Sequence, residues 1–177
     1  LSATNVAMPT ASPSATTVYT VTVTGSNGCT ATSTVTVNVN TTPPTADAGV
    51  DKNLNCTTTS TTIGTTAIAG NSYSWSPATG LSATNVAMPT ANPSATTTYT
   101  VTVTGSNGCT ATDVVVVNVN TTLPTANAGS NKNLNCTTTS STIGTTAIAG
   151  NSYSWSPATG LSATNVAMPT ASPSATT

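Results

Sequence analysis

Nine side chains of the 177-residue chain carry a full charge or a thiol: Asp47, Asp51, Asp113, Lys52, Lys132, Cys29, Cys56, Cys109 and Cys136. There is no His, Arg, Glu, Gln or Phe. General acid–base catalysis needs an imidazole or a tuned carboxylate pair, and this inventory holds neither. Ser and Thr are plentiful, but no His or Lys neighbour is placed to activate one as a nucleophile. Lys52 and Lys132 read as solubility charges. Two cations cannot neutralise a phosphate backbone, so nucleic acid is an unlikely partner class. The thiols are left with the only distinctive chemistry. Without His or a C-x-x-C spacing they do not form a zinc site, so their expected product is a disulfide in an oxidising compartment.

The elements that position these groups follow from an internal repeat. Residues 1–80 align with 81–160 without a gap, 70 of 80 positions are identical, and residues 161–177 repeat 1–17. The cysteines obey the same period: Cys29 corresponds to Cys109, and Cys56 to Cys136. Polar, Pro- and Gly-containing stretches at 40–49 and 120–129 read as linkers. They divide the chain into the C-terminal half of one module (1–42), a whole module (43–122) and the N-terminal part of a third (123–177). A half-module cannot bury its core, so the array is expected to continue beyond both ends. Exchange of half-modules between subunits is disfavoured on this reading, because joining two ends would supply residues 1–17 and 161–177 twice.

Within the whole module, Thr98–Thr104 alternates Tyr99, Val101 and Val103 with Thr, the period of a half-buried strand. Ser106-Asn107-Gly108 predicts a hairpin turn. Cys109–Val119 is the return strand, with Cys109, Ala111, Asp113, Val115, Val117 and Val119 inward. Val114 and Val116 replace Thr34 and Thr36 of the first copy as drift among β-branched residues. Thr57–Ile68 predicts another strand, with Thr61 and Ile63 on one side. Ser72–Ser76 alternates again, with Trp75 as central core aromatic. Leu81, Val86 and Met88 are expected in the remaining short strands. No helical period exceeds one turn, and no apolar run reaches the roughly 18 residues of a membrane helix. The fold class is all-β: tandem Ig-like β-sandwich modules with an 80-residue repeat. The expected core comprises Trp75, Tyr99, Val101, Val103, Val115 and Val117, with Trp155 in the next copy.

Three phrases carry a family resemblance: Tyr73-Ser74-Trp75-Ser76-Pro77-Ala78-Thr79-Gly80-Leu81-Ser82, the run from Ala91 to Thr104, and Asn107-Gly108-Cys109-Thr110-Ala111-Thr112-Asp113. They resemble the Ig-like or PKD-like repeats of giant cell-surface adhesins of Bacteroidota, including those of gliding motility. One departure is Ser76-Pro77 after Trp75, where PKD domains usually place an aromatic and a Gly-Asp-Gly turn. The resemblance implies an extracellular location and export by the type IX system, with the sorting domain elsewhere.

Cys56 and Cys109 are the one candidate pair inside the whole module, with Cys29 and Cys136 then pairing outside this stretch. Such a bridge would close a 54-residue loop and add roughly 4 kcal/mol in the chain-entropy model. An Ig-type topology could hold the two apart. The alternatives are a bridge from the first cysteine of one module to the hairpin cysteine of the next, or buried free thiols. A repeated Ca²⁺ site is not expected, because Asp47 and Asp51 become Asn127 and Asn131 in the next copy. Both read as solvated linker residues. Ordered Thr rows raise an ice-binding reading, but twisted sheets and the ordinary use of Thr outweigh it.

No catalytic residue, cofactor or metal is therefore predicted. The expected function is the structural stalk of a long extracellular adhesive filament. Its partners are neighbouring identical modules, with lateral association of filaments permitted by the near-zero net charge. The contrasting readings are a small subunit that self-assembles into an extracellular fibre or sheath, and a carbohydrate-binding module. The single Trp and two Tyr of each copy count against the last.

Overall fold

The computed structural model describes residues 1–174. Among them there is no helix. Ten strands follow in order: β1 (Thr17–Thr24), β2 (Thr30–Val37), β3 (Lys52–Asn55), β4 (Thr61–Thr62), β5 (Ser72–Ser76), β6 (Thr90–Ala91), β7 (Thr97–Thr104), β8 (Thr110–Asn120), β9 (Ser141–Thr142) and β10 (Thr170–Ala171). The chain forms two units, 1–121 and 122–177, and each is described by itself.

In the first unit, β3 to β8 close a two-sheet sandwich. β7 and β8 form its central hairpin, with Tyr99 opposite Val115, Val101 opposite Asp113 and Val103 opposite Ala111. β-Branched and aromatic residues at every second position give this pair one continuous apolar face. At the turn, the Gly105 N–H donates to the Cys109 carbonyl at 2.9 Å, and Gly108 takes the left-handed conformation at φ 81°. Asn107 accepts from the Cys109 N–H through its side-chain oxygen at 3.1 Å. β5 pairs antiparallel with β7, and β3 pairs parallel with β8, giving a sheet of order β3-β8-β7-β5. β4 and β6 form the second, two-stranded sheet. Between the sheets lie Leu54, Ile63, Trp75, Ala91, Tyr99, Val101, Val103, Val115 and Val117, joined by Ala48 from the entering segment. Each buried Val contributes about 1.5–3 kcal/mol relative to exposure. The all-β sandwich expected from the sequence is thus observed.

The same unit carries the N-terminal hairpin. β1 and β2 pair in the same register as β7 and β8, from Thr17 opposite Val37 to Thr24 opposite Thr30. Among the described residues no second sheet covers its apolar face. Val21 is 54% exposed where its counterpart Val101 is 1% exposed, and Val35 is 62% exposed where Val115 is fully buried.

The second unit has the converse composition. β9 and β10 pair antiparallel, as β4 and β6 do. The residues that correspond to β3 (132–135) and β5 (152–156) are not strands and join no sheet among the described residues. Loops that close within the segment are retained. The Trp155 indole donates to the Val166 carbonyl at 2.8 Å, and the Tyr153 hydroxyl accepts from the Ile148 N–H at 2.8 Å.

Four expectations need correction. The span Thr57–Ile68 contains only the two-residue β4, with Ile63 buried just beyond it. Leu81 makes an isolated bridge with Ala91, and the strand there is β6 rather than Val86 or Met88, which are partly exposed. β3 lies in a stretch to which the sequence assigned no strand, and its Leu54 enters the core. Trp155 is only half-buried among the described residues.

Candidate functional site

The groups with chemistry to offer sit where the chain enters and crosses the sandwich. The Asn107 amide, at the tip of the β7–β8 turn, donates to the Thr42 carbonyl at 2.9 Å and to the Asn40 carbonyl and side-chain oxygen at 3.3 Å. The hairpin tip therefore holds the segment that feeds into the sandwich. The chain leaves at the far end of β8, eleven residues away, which is about 33 Å of extended strand. Entry and exit lie at opposite poles.

All three carboxylates bind backbone. Asp47 accepts from the Gly49 N–H, Asp113 from the Ala48 N–H and Asp51 from the Val116 N–H, each at 2.8 Å. Ala48 in turn accepts from the Gly64 N–H at 2.8 Å. Residues 47–51 are thereby fastened to β8 and to Gly64 just beyond β4, and Asp47 and Asp51, which are exposed as the sequence suggested, also accept from backbone N–H groups. An amide oxygen serves equally well as acceptor: Asn127 takes the Gly129 N–H at 2.8 Å, as Asp47 takes that of Gly49. That explains how Asp47 can become Asn in the next copy without loss of the turn. Among the described residues no group of three or more His, Cys, Asp or Glu side chains could hold a metal ion.

The cysteines are all free. Cys56 follows Asn55, which pairs with Asn120 at the exit pole, whereas Cys109 precedes Thr110 at the entry pole. The length of β8 separates them, about 33 Å against the roughly 7 Å that a disulfide spans between Cα atoms. The bridge from Cys56 to Cys109 expected within the module is therefore excluded by the topology. The parallel pairing of β3 is what puts Cys56 at the wrong end, and the sequence reading had no β3.

The predicted core residues are brought together: Trp75, Tyr99, Val101, Val103, Val115 and Val117 form one cluster. Two of them do more than pack. The Trp75 indole donates to the Val86 carbonyl at 2.9 Å, and the Tyr99 hydroxyl donates to the Thr79 carbonyl at 2.7 Å. They tie the loop between β5 and β6 to the main sheet. Burial raises the Tyr99 phenol above its ordinary value, which keeps it in the neutral, donating form. Gly64 is a further structural residue that sequence reasoning missed. It sits at φ +83°, and a methyl group there would run into the Ala87 carbonyl oxygen and the Trp75 ring. The Ile63-Gly64 sequence before a polar run was the available signal.

These features define a class: an Ig-like two-sheet sandwich, entered at one pole and left at the other. Among solved structures, the chain is similar to the solution structure of the PKD domain from KIAA 1837 protein, at 24% identity and a TM-score of 0.39, over 50% of this chain and 99% of that one. No family model and no curated protein matches the chain. No helix among the described residues is long and apolar enough to cross a membrane.

Proposed function

We propose that the chain is a stretch of tandem Ig-like modules, bounded at 1–42, 43–122 and 123–177, that serves as the non-enzymatic stalk of an extracellular adhesive filament. The observation that carries this reading is the placement of entry and exit at opposite poles, with Asn107 holding the incoming segment at Asn40 and Thr42. Modules joined this way add end to end. The 80-residue repeat supplies the modules, each of which would extend the rod by about 40 Å. A surface of Thr, Ser and Asn stays hydrated whatever the ionic strength, because there is little charge to screen. That property suits a stalk outside the cell. Surface attachment, gliding and type IX export are the finer readings that the sequence resemblance adds.

The cysteine placement fits the same scheme. A bridge from the exit-pole cysteine of one module to the entry-pole cysteine of the next would staple the rod, and requires an oxidising compartment. The test of the whole reading is the size of the native polypeptide on a reducing denaturing gel, with peptide mass mapping of the repeats. A chain of hundreds of kilodaltons supports the stalk. A discrete chain near 17.3 kDa contradicts it.

A further inference from the structure

The turn that joins β7 to β8 carries a reactive dipeptide, Asn107-Gly108. The peptide nitrogen that follows an asparagine can attack its side-chain amide carbon, and a glycine leaves that nitrogen unshielded because it has no Cβ. The same Asn107 amide clasps the entering segment to the sandwich. Its nitrogen donates to the Thr42 carbonyl at 2.9 Å and to the Asn40 carbonyl and side-chain oxygen at 3.3 Å. Its oxygen accepts from the Cys109 N–H at 3.1 Å. One amide therefore holds two things: its nitrogen holds the joint, and its oxygen holds the turn.

We infer that Asn107 is a site of spontaneous deamidation, and that this reaction releases the joint. The Gly108 nitrogen gives up its proton and bonds to the Asn107 Cγ. The Cγ–Nδ2 bond breaks, and the amide nitrogen leaves as ammonia with that proton. Water then opens the five-membered imide by adding to one of its two carbonyl carbons, and the imide nitrogen recovers a proton. Opening at Cγ gives aspartate, and opening at the main-chain carbonyl gives isoaspartate. Either product is a carboxylate, which accepts hydrogen bonds and donates none. An oxygen in place of Nδ2 would face the three acceptor oxygens of Asn40 and Thr42, so all three bonds are lost.

The damage is confined to the joint. The aspartate product still accepts from the Cys109 N–H and so keeps the turn. The residues that follow stay fastened, because Asp113 holds the Ala48 N–H and Asp51 holds the Val116 N–H. The fold also paces the reaction. The Gly108 N–H that must lose its proton donates to the Gly105 carbonyl at 2.9 Å, so attack waits for the turn to open. Because ammonia escapes, each joint is released once and for good, and a fixed junction becomes a hinge with age. The inference concerns contacts inside residues 40–109 and does not depend on the stalk reading.

Ageing the purified 177-residue chain at mildly alkaline pH tests it, with peptide mass mapping and limited digestion by a broad-specificity protease. Asn107 is expected to convert to aspartate and isoaspartate, more slowly than in denaturant. Aged molecules are expected to be cut several-fold faster within residues 40–46, where the clasp alone holds the chain down. Asn107→Asp installs the aspartate product directly. It is expected to show the faster cutting without ageing, with amide protection of β7 and β8 unchanged. An Asn107 that stays intact in the native chain after the denatured chain has converted would overturn the inference. So would an Asn107→Asp chain cut no faster than wild type within residues 40–46. Neither result depends on the native polypeptide's size, so failure here and failure of the stalk reading are told apart.

Discussion

Residues 72–76 and 152–156 have the same sequence, Ser-Tyr-Ser-Trp-Ser, yet the first is strand β5 and the second is not a strand. The difference is β7, which pairs with the first and has no counterpart beside the second. Strand formation here belongs to the pairing and not to the segment. The short β9–β10 pair makes the same point in reverse. Its two partners lie within one stretch of chain, and it forms without the hairpin. The hairpin is therefore the element that turns a set of tethered loops into a closed sandwich.

Substitutions can be ranked by how strongly they separate the two regions. The largest effect is expected from Trp75→Ala, which removes a buried side chain with its indole hydrogen bond and should cost the sandwich about 3–5 kcal/mol. The same change at Trp155, which is only half-covered, should leave the main unfolding transition of the chain in place. Denaturant titration followed by circular dichroism distinguishes the two. Gly64→Ala should destabilise by several kcal/mol, because a left-handed backbone and a collision with the Ala87 carbonyl combine.

A smaller effect is expected at Tyr99. Tyr99→Phe keeps the ring but strands the Thr79 carbonyl, at about 1–2 kcal/mol. The matching change Tyr19→Phe should not alter the stability of the closed sandwich, since Tyr19 lies outside its core. Tyr99 also sets a pH limit. Its folded-state phenol titrates above the unfolded one, so the folded state holds the proton longer. The stability this contributes is present below about pH 10 and is lost as the pH rises through the higher folded value. Thermal melts at rising pH should show Tm falling above pH 10, and Tyr99→Phe should flatten that fall.

The smallest effect is expected from Asp51→Asn. The acceptor for the Val116 N–H is kept and only the charge is lost, so a change within about 0.5 kcal/mol is expected. Asp51→Ala, which removes the acceptor, should cost roughly 1–2 kcal/mol. If both changes cost the same, the hydrogen bond is not what fastens the entering segment.

Much of this was legible in the sequence because it is local. The alternation of Tyr99, Val101 and Val103, the Asn-Gly turn and the position of Trp75 each need only a few neighbouring residues. What the sequence concealed is non-local. β3 is four residues, Lys-Asn-Leu-Asn, and becomes a strand by parallel pairing with residues 65 positions later. Without it the cysteine poles could not be assigned, and the pairing of Cys56 with Cys109 stayed one of three alternatives. The backbone partners of Asp113 and Asp51 were hidden for the same reason, since they lie far away in sequence. The span Thr57–Ile68 was over-read because Thr favours strands whether or not a partner is present.

The most direct test of the hairpin's closing role is amide hydrogen exchange, resolved by NMR, on the 177-residue chain. One sample then contains the same five-residue sequence in both settings. The account predicts strong protection of residues 72–76 and rapid exchange of residues 152–156. Equal protection of the two segments would show that the sequence forms this strand without its hairpin, and would contradict the account.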